Sequence, residues 1–259
     1  MNVQDKINIL YNNCKNLLSY EFDNSIEIKN VDEAYLIQDS FINLKKKNGF
    51  GEIGGWKVAL TNPEMQKLVG VDNPVEGAIL NSLIYKNNVS LKLENYCHLG
   101  VEAEIALKIH KDIPSKINGF NSKEEITPYL KEVMIALEIV DDRNSGANIT
   151  FEKLIAQNSM NYGCVIGEPI EMDLMTLDEL EGELIVSDNI FGRGKGKNVL
   201  QHPLNSVLYL VNNLIKRGRK LYAGDIVLTG SISTTCWPKS GDKVEARIDK
   251  LNTVSLNIF

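Results

Sequence analysis

The chain has 259 residues, 43% hydrophobic and 24% charged, enough for one sizeable core. Its 28 basic and 34 acidic residues leave a net charge of −6, which excludes a general nucleic-acid binder that needs a basic face. The four cysteines are far apart with no C-x-x-C pair, which excludes a zinc pattern and a secreted disulfide framework, and no apolar run approaches membrane-spanning length. Each cysteine reads as a small buried apolar residue. The polar start, Met1 to Lys6, has no signal-peptide apolar region, so the expected setting is cytoplasmic and reduced, with no nucleic-acid and no membrane partner.

Apolar positions Ile7, Leu10, Tyr11, Cys14, Leu17 and Leu18 fall at helical spacing and predict a helix over 3–20. A second helix is expected from Asp32, as its cap, to Lys47, with Gly49 as the stop. The texture then changes to strands over 58–60, 78–80, 89–93, 101–109 and 134–140. Between them, short helices are expected over 63–68, after Thr61 and Asn62, over 123–131, after Ser122, and over 152–156. Further strands are expected over 164–166, 183–186, 225–229, 243–248 and 254–258, with a helix over 204–216 that His202 and Pro203 would start. Gly192 to Gly196 has the wrong glycine spacing for a dinucleotide loop and reads as a turn. Strands irregularly interleaved with few helices predict an α+β fold with a mixed, rolled or barrel-like sheet behind an N-terminal helical layer. The expected organisation is a helical segment, 1–50, running into a β-fold, 51–259, as one continuous domain.

Gly100 to Ile109 carries Glu102 and Glu104 two residues apart, on one strand face with Cα atoms ~6.6 Å apart. Such a pair is unremarkable on an exposed face, but facing an interior it calls for a hard cation. Glu138 lies inside the apolar run Ile135 to Val140, where a carboxylate is costly unless paired or bound to a cation. With Glu102 and Glu104 it would complete an all-oxygen site of the kind that suits Mg²⁺ or Mn²⁺. Lys57, flanked by Trp56, Val58, Ala59 and Leu60, reads as a snorkelling surface lysine if taken alone. Leu228 to Thr235 is a strand end entering a hydroxyl-rich turn that could hold a carboxylate, although such turns are also common as structure alone. No G-x-S-x-G elbow and no H-x-x-x-H pair occurs.

Six stretches in order, Gly55 to Thr61, Gly70 to Pro74, Val101 to Ala106, Ala136 to Arg143, Ala223 to Gly230 and Gly241 to Ala246, resemble the 2-keto-4-pentenoate hydratase family of the fumarylacetoacetase-like superfamily. The resemblance extends over most of the chain. It implies a fumarylacetoacetase C-terminal-type fold in a homo-oligomer, and a metal-dependent lyase acting on small 2-oxo and 2-hydroxydienoic acids. The implied reaction is hydration of 2-hydroxypenta-2,4-dienoate to 4-hydroxy-2-oxopentanoate through a metal-stabilised enolate. A 4-oxalocrotonate-type decarboxylase is the alternative, followed by a C–C hydrolase of acylpyruvates or a non-catalytic 2-oxo-acid-binding protein. The implied metal ligands are Glu102, Glu104 and Glu138, with Lys57 as the active-site lysine and Leu60, Asn158 and Ser231 against the substrate. The chain departs from the hydratase pattern after Pro74, where Val75-Glu76-Gly77 replaces an acid, an aromatic residue and glycine. An aliphatic residue at that place is similar to the decarboxylases, and Glu76 is expected to stand in as the acid that manages water. Leu99 and Gly100 replace proline and a basic residue, and Gln157 to Asn161 replaces Asp-Asn-Ala-Ser-Ser.

Overall fold

The computed structural model describes residues 1–115 and 118–259. Helix α1 (Val3–Lys15) buries Ile7, Leu10 and Cys14 and is capped by Asn2; the chain leaves it well before residue 20, passing through Leu17 at φ 53°. Helix α2 (Val31–Lys45) is capped by Asn30, which accepts from the Glu33 amide. Asp32 therefore lies inside the first turn, where its charge faces the positive end of the helix dipole.

Strand β1 (Ile53–Ala59) and the short helix α3 (Pro63–Val69) lead to β2 (Val75–Leu80), β3 (Ile84–Lys86) and β4 (Val89–Leu91). The long strands β5 (Leu99–Ile109) and β6 (Leu130–Asp141) flank helix α4 (Lys123–Ile126). The helix expected over 123–131 thus ends early: Pro128 sits in a 3₁₀ turn, Thr127–Tyr129, and Leu130 already belongs to β6. Helix α5 (Phe151–Ala156), β7 (Asn161–Ile166), β8 (Ile170–Glu171), β9 (Glu181–Val186), β10 (Asn189–Lys195), helix α6 (Pro203–Lys216), β11 (Ile226–Ser231), β12 (Lys243–Ile248) and β13 (Val254–Ile258) complete the chain. Glycines 192 and 194 lie in strand β10 and not in a turn. A Cβ on Gly194 would come within 1.7 Å of the Ile232 carbonyl, so glycine allows this strand to lie against the 231–235 segment. His202 caps α6, its Nδ1 accepting from the Leu204 amide.

Two mixed sheets result. The larger has the order β2-β1-β11-β5-β6-β7-β3, with β8 on β6; the smaller has the order β10-β9-β12-β13-β4. Neither closes into a barrel, but the larger is strongly rolled. Lys57 on β1 and Glu138 on β6 are three strand steps apart, ~14 Å at the Cα atoms in a flat sheet. Their side chains nevertheless meet at 3.1 Å, which requires a face concave toward them. Ile79, Ala106, Met134, Ala136, Cys164, Ile226 and Leu228 fill that concave face. The opposite face joins α1, α2, α6 and the smaller sheet in one apolar cluster. Among the described residues no helix is long and apolar enough to cross a membrane, and all four cysteines are free thiols.

Arg143 locks the N-terminal helices to the end of β6. Its guanidinium donates to the Leu18 and Ser19 carbonyls and to Asp23 Oδ2 at 2.7 Å, with both side chains of the ion pair almost fully buried. Arg143→Leu leaves Asp23 buried without its cation and is expected to cost ~3–5 kcal/mol. Chemical denaturation and hydrogen exchange would check this, with protection lost first over 1–24.

Candidate metal centre

The centre is built from the pleat of β5 and β6. Glu102 and Glu138 are direct cross-strand partners, and Glu104 is one same-face position further along β5. One carboxylate oxygen from each of the three lies within 4.8 Å of the others. Glu104 and Glu138 are fully buried and Glu102 is part-exposed, so the face is interior with one open side. Neighbours orient each acid. Asn161 Nδ2 donates to Glu138 Oε1 at 2.8 Å. The Gly230 amide donates to Glu104 Oε2 at 2.7 Å. The Thr235 hydroxyl donates to Glu102 Oε1. The Gly230 amide can point out of the ladder because the pairing of β11 with β5 is irregular between Leu228 and Ser231.

Lys57 is 3% exposed, with its Nζ 3.1 Å from Glu138 Oε1, and is therefore not a snorkelling surface lysine. Burial opposes its charge, but Glu138, Glu102 and Glu104 outweigh burial and hold its pKa above the ordinary value. Burial, and then the charges of Glu138 and Glu102, push Glu104 well above the usual carboxylate range. Burial and Glu102 also raise Glu138, against Lys57 and Asn161. Glu104 Oε1 and Glu138 Oε2 are buried with no hydrogen-bond partner. Two inward-facing orphan oxygens in a cluster of three acids fit a divalent cation with oxygen ligands. Cys164 faces the same side opposite Glu138, and burial raises its thiol pKa above the ordinary value.

Other expected site residues lie elsewhere. Glu76 pairs with Val58, not Lys57, so its side chain leaves the opposite face of the sheet. There it accepts from Tyr35 Oη at 2.9 Å, from Asn213 Nδ2 at 2.8 Å and from Arg217, joining β2 to α2 and α6. It is a buried structural acid and does not reach the triad, which corrects the expectation that it manages water there. Glu76→Gln is expected to lower stability by ~2–4 kcal/mol, through loss of the buried pair with Arg217. Turnover per folded molecule should stay within about threefold, as melts and active-site-normalised rates would show.

Asn158 is likewise committed: its Oδ1 accepts from Ala78 N at 2.7 Å and its Nδ2 donates to Ala78 O at 2.8 Å. It anchors β2 through one Nδ2–H and one lone pair of Oδ1. The backbone accepts strain to achieve this, with Asn158, Ser159 and Met160 at φ 58°, 51° and 61°. The Leu60 side chain is buried among Tyr20, Ala34, Val75 and Ile155, away from the carboxylates. Ser231 is opposite Glu104, with its hydroxyl donating to the Ser233 carbonyl at 2.7 Å. Asn161 and Thr235 were not singled out by sequence; each lies in a stretch of interest, the Gln157 to Asn161 run and the hydroxyl-rich turn.

Residues 81–258 match the family described as fumarylacetoacetate hydrolase, C-terminal. The chain belongs to this family. It is 32% identical over 222 residues to the 2-keto-4-pentenoate hydratase of Burkholderia vietnamiensis, covering 85% of this chain and 83% of that protein. It is 31% identical over 232 residues to 2-keto-4-pentenoate hydratase 1 of Dechloromonas aromatica, covering 89% and 86%. The fold matches the 4-oxalocrotonate decarboxylase of Pseudomonas putida G7, complexed with magnesium and adipate, at a TM-score of 0.90 and 22% identity, covering 99% of this chain and 97% of that one.

Proposed function

We propose that this family member is a divalent-metal-dependent hydro-lyase on small 2-oxo and 2-hydroxydienoic acids, hydrating 2-hydroxypenta-2,4-dienoate to 4-hydroxy-2-oxopentanoate. The observation that carries the reading is the buried Glu102–Glu104–Glu138 triad with Lys57 against it. Mg²⁺ or Mn²⁺ held by the three carboxylates supplies a Lewis acid for negative charge that develops on the 2-oxygen. Three carboxylates and a dication sum to −1, and Lys57 brings the site to neutrality, so that an anionic substrate can enter. Lys57 anchors the substrate carboxylate. Asn161, Gly230 N–H and Thr235 keep the three acids in register. In the reaction the 2-hydroxyl gives up its proton as another joins the far carbon, C5, leaving a 2-oxo group and a C3–C4 double bond, and water then adds across that bond, hydroxyl to C4 and proton to C3. The hydratase names of the relatives at 31–32% identity support this reading.

A second reading, vinylogous decarboxylation of 4-oxalocrotonate, is favoured by one observation. Strand β2 presents Gly77 and Ile79 to the concave face and turns its acid, Glu76, away. The test is a paired assay with Mg²⁺ or Mn²⁺, following absorbance and CO₂. Metal-dependent loss of 2-hydroxypenta-2,4-dienoate without CO₂ supports the hydratase. CO₂ from 4-oxalocrotonate, with the dienoate untouched, replaces it with the decarboxylase.

A further inference from the structure

The chain that leaves β11 continues beside β5, and its register fixes what stands next to the triad. Val101 and Cys236 form an antiparallel bridge, with N–H···O distances of 2.9 and 3.0 Å in the two directions. Thr235 is therefore opposite Glu102 and Trp237 opposite Gly100, both on the sheet face that carries the triad. The side chains agree with this placement. The Thr235 hydroxyl donates to Glu102, and a Cβ on Gly100 would meet Trp237 Cζ3 at 2.8 Å and Val140 Cγ2 at 2.7 Å. Glycine at 100 thus lets the indole lie down on β5. Trp237 is the diagonal neighbour of Glu102, a separation that an aromatic side chain spans, and Glu102 is the part-exposed acid of the three. The His98 ring stacks on Trp237 with centroids 4.2 Å apart and planes 2° from parallel, which holds the indole in place. Trp237 nevertheless stays 41% exposed. A large apolar ring clamped beside a buried polar centre and left open to solvent has the character of a ligand-contact surface.

We propose that Trp237 is a specificity-determining residue of this site, whose open ring surface receives the flat, conjugated carbons of a metal-bound acid and favours them over a saturated chain. The inference rests on the 2-oxo-acid reading of the triad. A conjugated dienoate is planar along its chain, so one face of it lies on the indole in an offset stack. A saturated chain of the same length has no such face, and it gives up more rotamer freedom when it is laid flat. The lengths agree. A five-carbon acid held through C1 and C2 carries C5 ~4 Å beyond C2, at ~1.3 Å per carbon. Gly100, under the indole, is one same-face step from Glu102, ~6.6 Å. Carbons C3 to C5 therefore span the gap between the metal ligand and the ring, and end within a van der Waals contact, ~4 Å, of it.

The test compares sorbate (hexa-2,4-dienoate) with hexanoate by calorimetry on Mn²⁺-loaded protein. The two acids have the same carbon count and the same single carboxylate, and differ in conjugation. Wild type should bind sorbate about fivefold more tightly or better. Trp237→Leu should bring the ratio to within about twofold, whereas Trp237→Phe, which keeps a ring, should hold it above that. Sorbate should also quench tryptophan emission, and hexanoate should not. Trp56, the other tryptophan, is only 3% exposed, so the quenching should vanish in Trp237→Leu. Equal affinities in wild type, or a ratio that Trp237→Leu leaves unchanged, would overturn the assignment. In a second arm, Trp237→Leu should raise KM for 2-hydroxypenta-2,4-dienoate about fivefold and keep kcat within about threefold, the pattern of lost substrate binding. An unchanged KM would also overturn it. If wild type leaves the dienoate untouched but sorbate keeps a Trp237-dependent advantage, the role of Trp237 stands and the hydratase reading falls.

Discussion

Glu138→Gln is expected to abolish divalent-metal binding and turnover together. Glu138 is the cross-strand partner of Glu102, and its Oε2 is one of the two buried oxygens without a partner. The amide still accepts from Asn161, so local structure survives, but a cation there meets two charges in place of three. Affinity for Mn²⁺ should fall at least a hundredfold, ~3 kcal/mol, and turnover at least a thousandfold. Titration with Mn²⁺ read by calorimetry or magnetic resonance checks the first, and metal-saturated rates check the second. Unchanged metal affinity would reject the triad. Glu104→Gln should lose metal in the same way but raise the melting temperature of the metal-free protein. Burial and two like charges oppose the Glu104 carboxylate, and the glutamine oxygen still accepts from Gly230. A gain of about 1 kcal/mol, ~2–4 °C, is expected. These opposite signs separate a metal ligand from a structural acid.

Lys57→Met is expected to produce the reverse pattern. It removes a buried positive charge 3.1 Å from Glu138 Oε1 and leaves three acids together in the interior. The metal-free protein should lose ~3–5 kcal/mol, and Mn²⁺ should restore most of it. Affinity for Mn²⁺ should rise, because a repelling charge is gone. Turnover should nevertheless fall ~10²–10⁴-fold, because the site no longer has a cation to anchor the substrate anion. Rates within about threefold of wild type, or weaker metal binding, would remove Lys57 from this role. Thermal melts with and without Mn²⁺, beside saturation kinetics, give all three quantities.

Several features of the centre were legible because short-range geometry dictates them. Residues two apart on a strand share a face, so Glu102 and Glu104 had to be paired once β5 was recognised. A carboxylate inside an apolar strand has to be compensated, which marked Glu138. Glu76 could not be placed in the same way. Its period-two face is clear only relative to Lys57, and their strands pair Glu76 with Val58 and Lys57 with Gly77. Its partners Tyr35, Asn213 and Arg217 are 41, 137 and 141 residues away in sequence. The anchoring of Asn158 is hidden for a related reason: a polar side chain in a loop gives no sign that its amide bonds a main chain 80 residues away.

The sequence by itself determined the α+β class, the helical N-terminal layer, the polar character of the centre and the identity of the acids in it. The period of apolar residues and the cost of burying charge act over a few residues, and they survive without knowledge of the fold. Tertiary structure alone decided how the strands are ordered and how far the sheet rolls. Strand β11, from late in the chain, inserts between β1 and β5, and the roll then brings Lys57 across three strand steps onto Glu138. It also decided which side of β2 faces the centre, and which hydroxyl and amide groups orient the acids. Those outcomes depend on register between distant segments, which a one-residue shift would reverse and which no local pattern encodes.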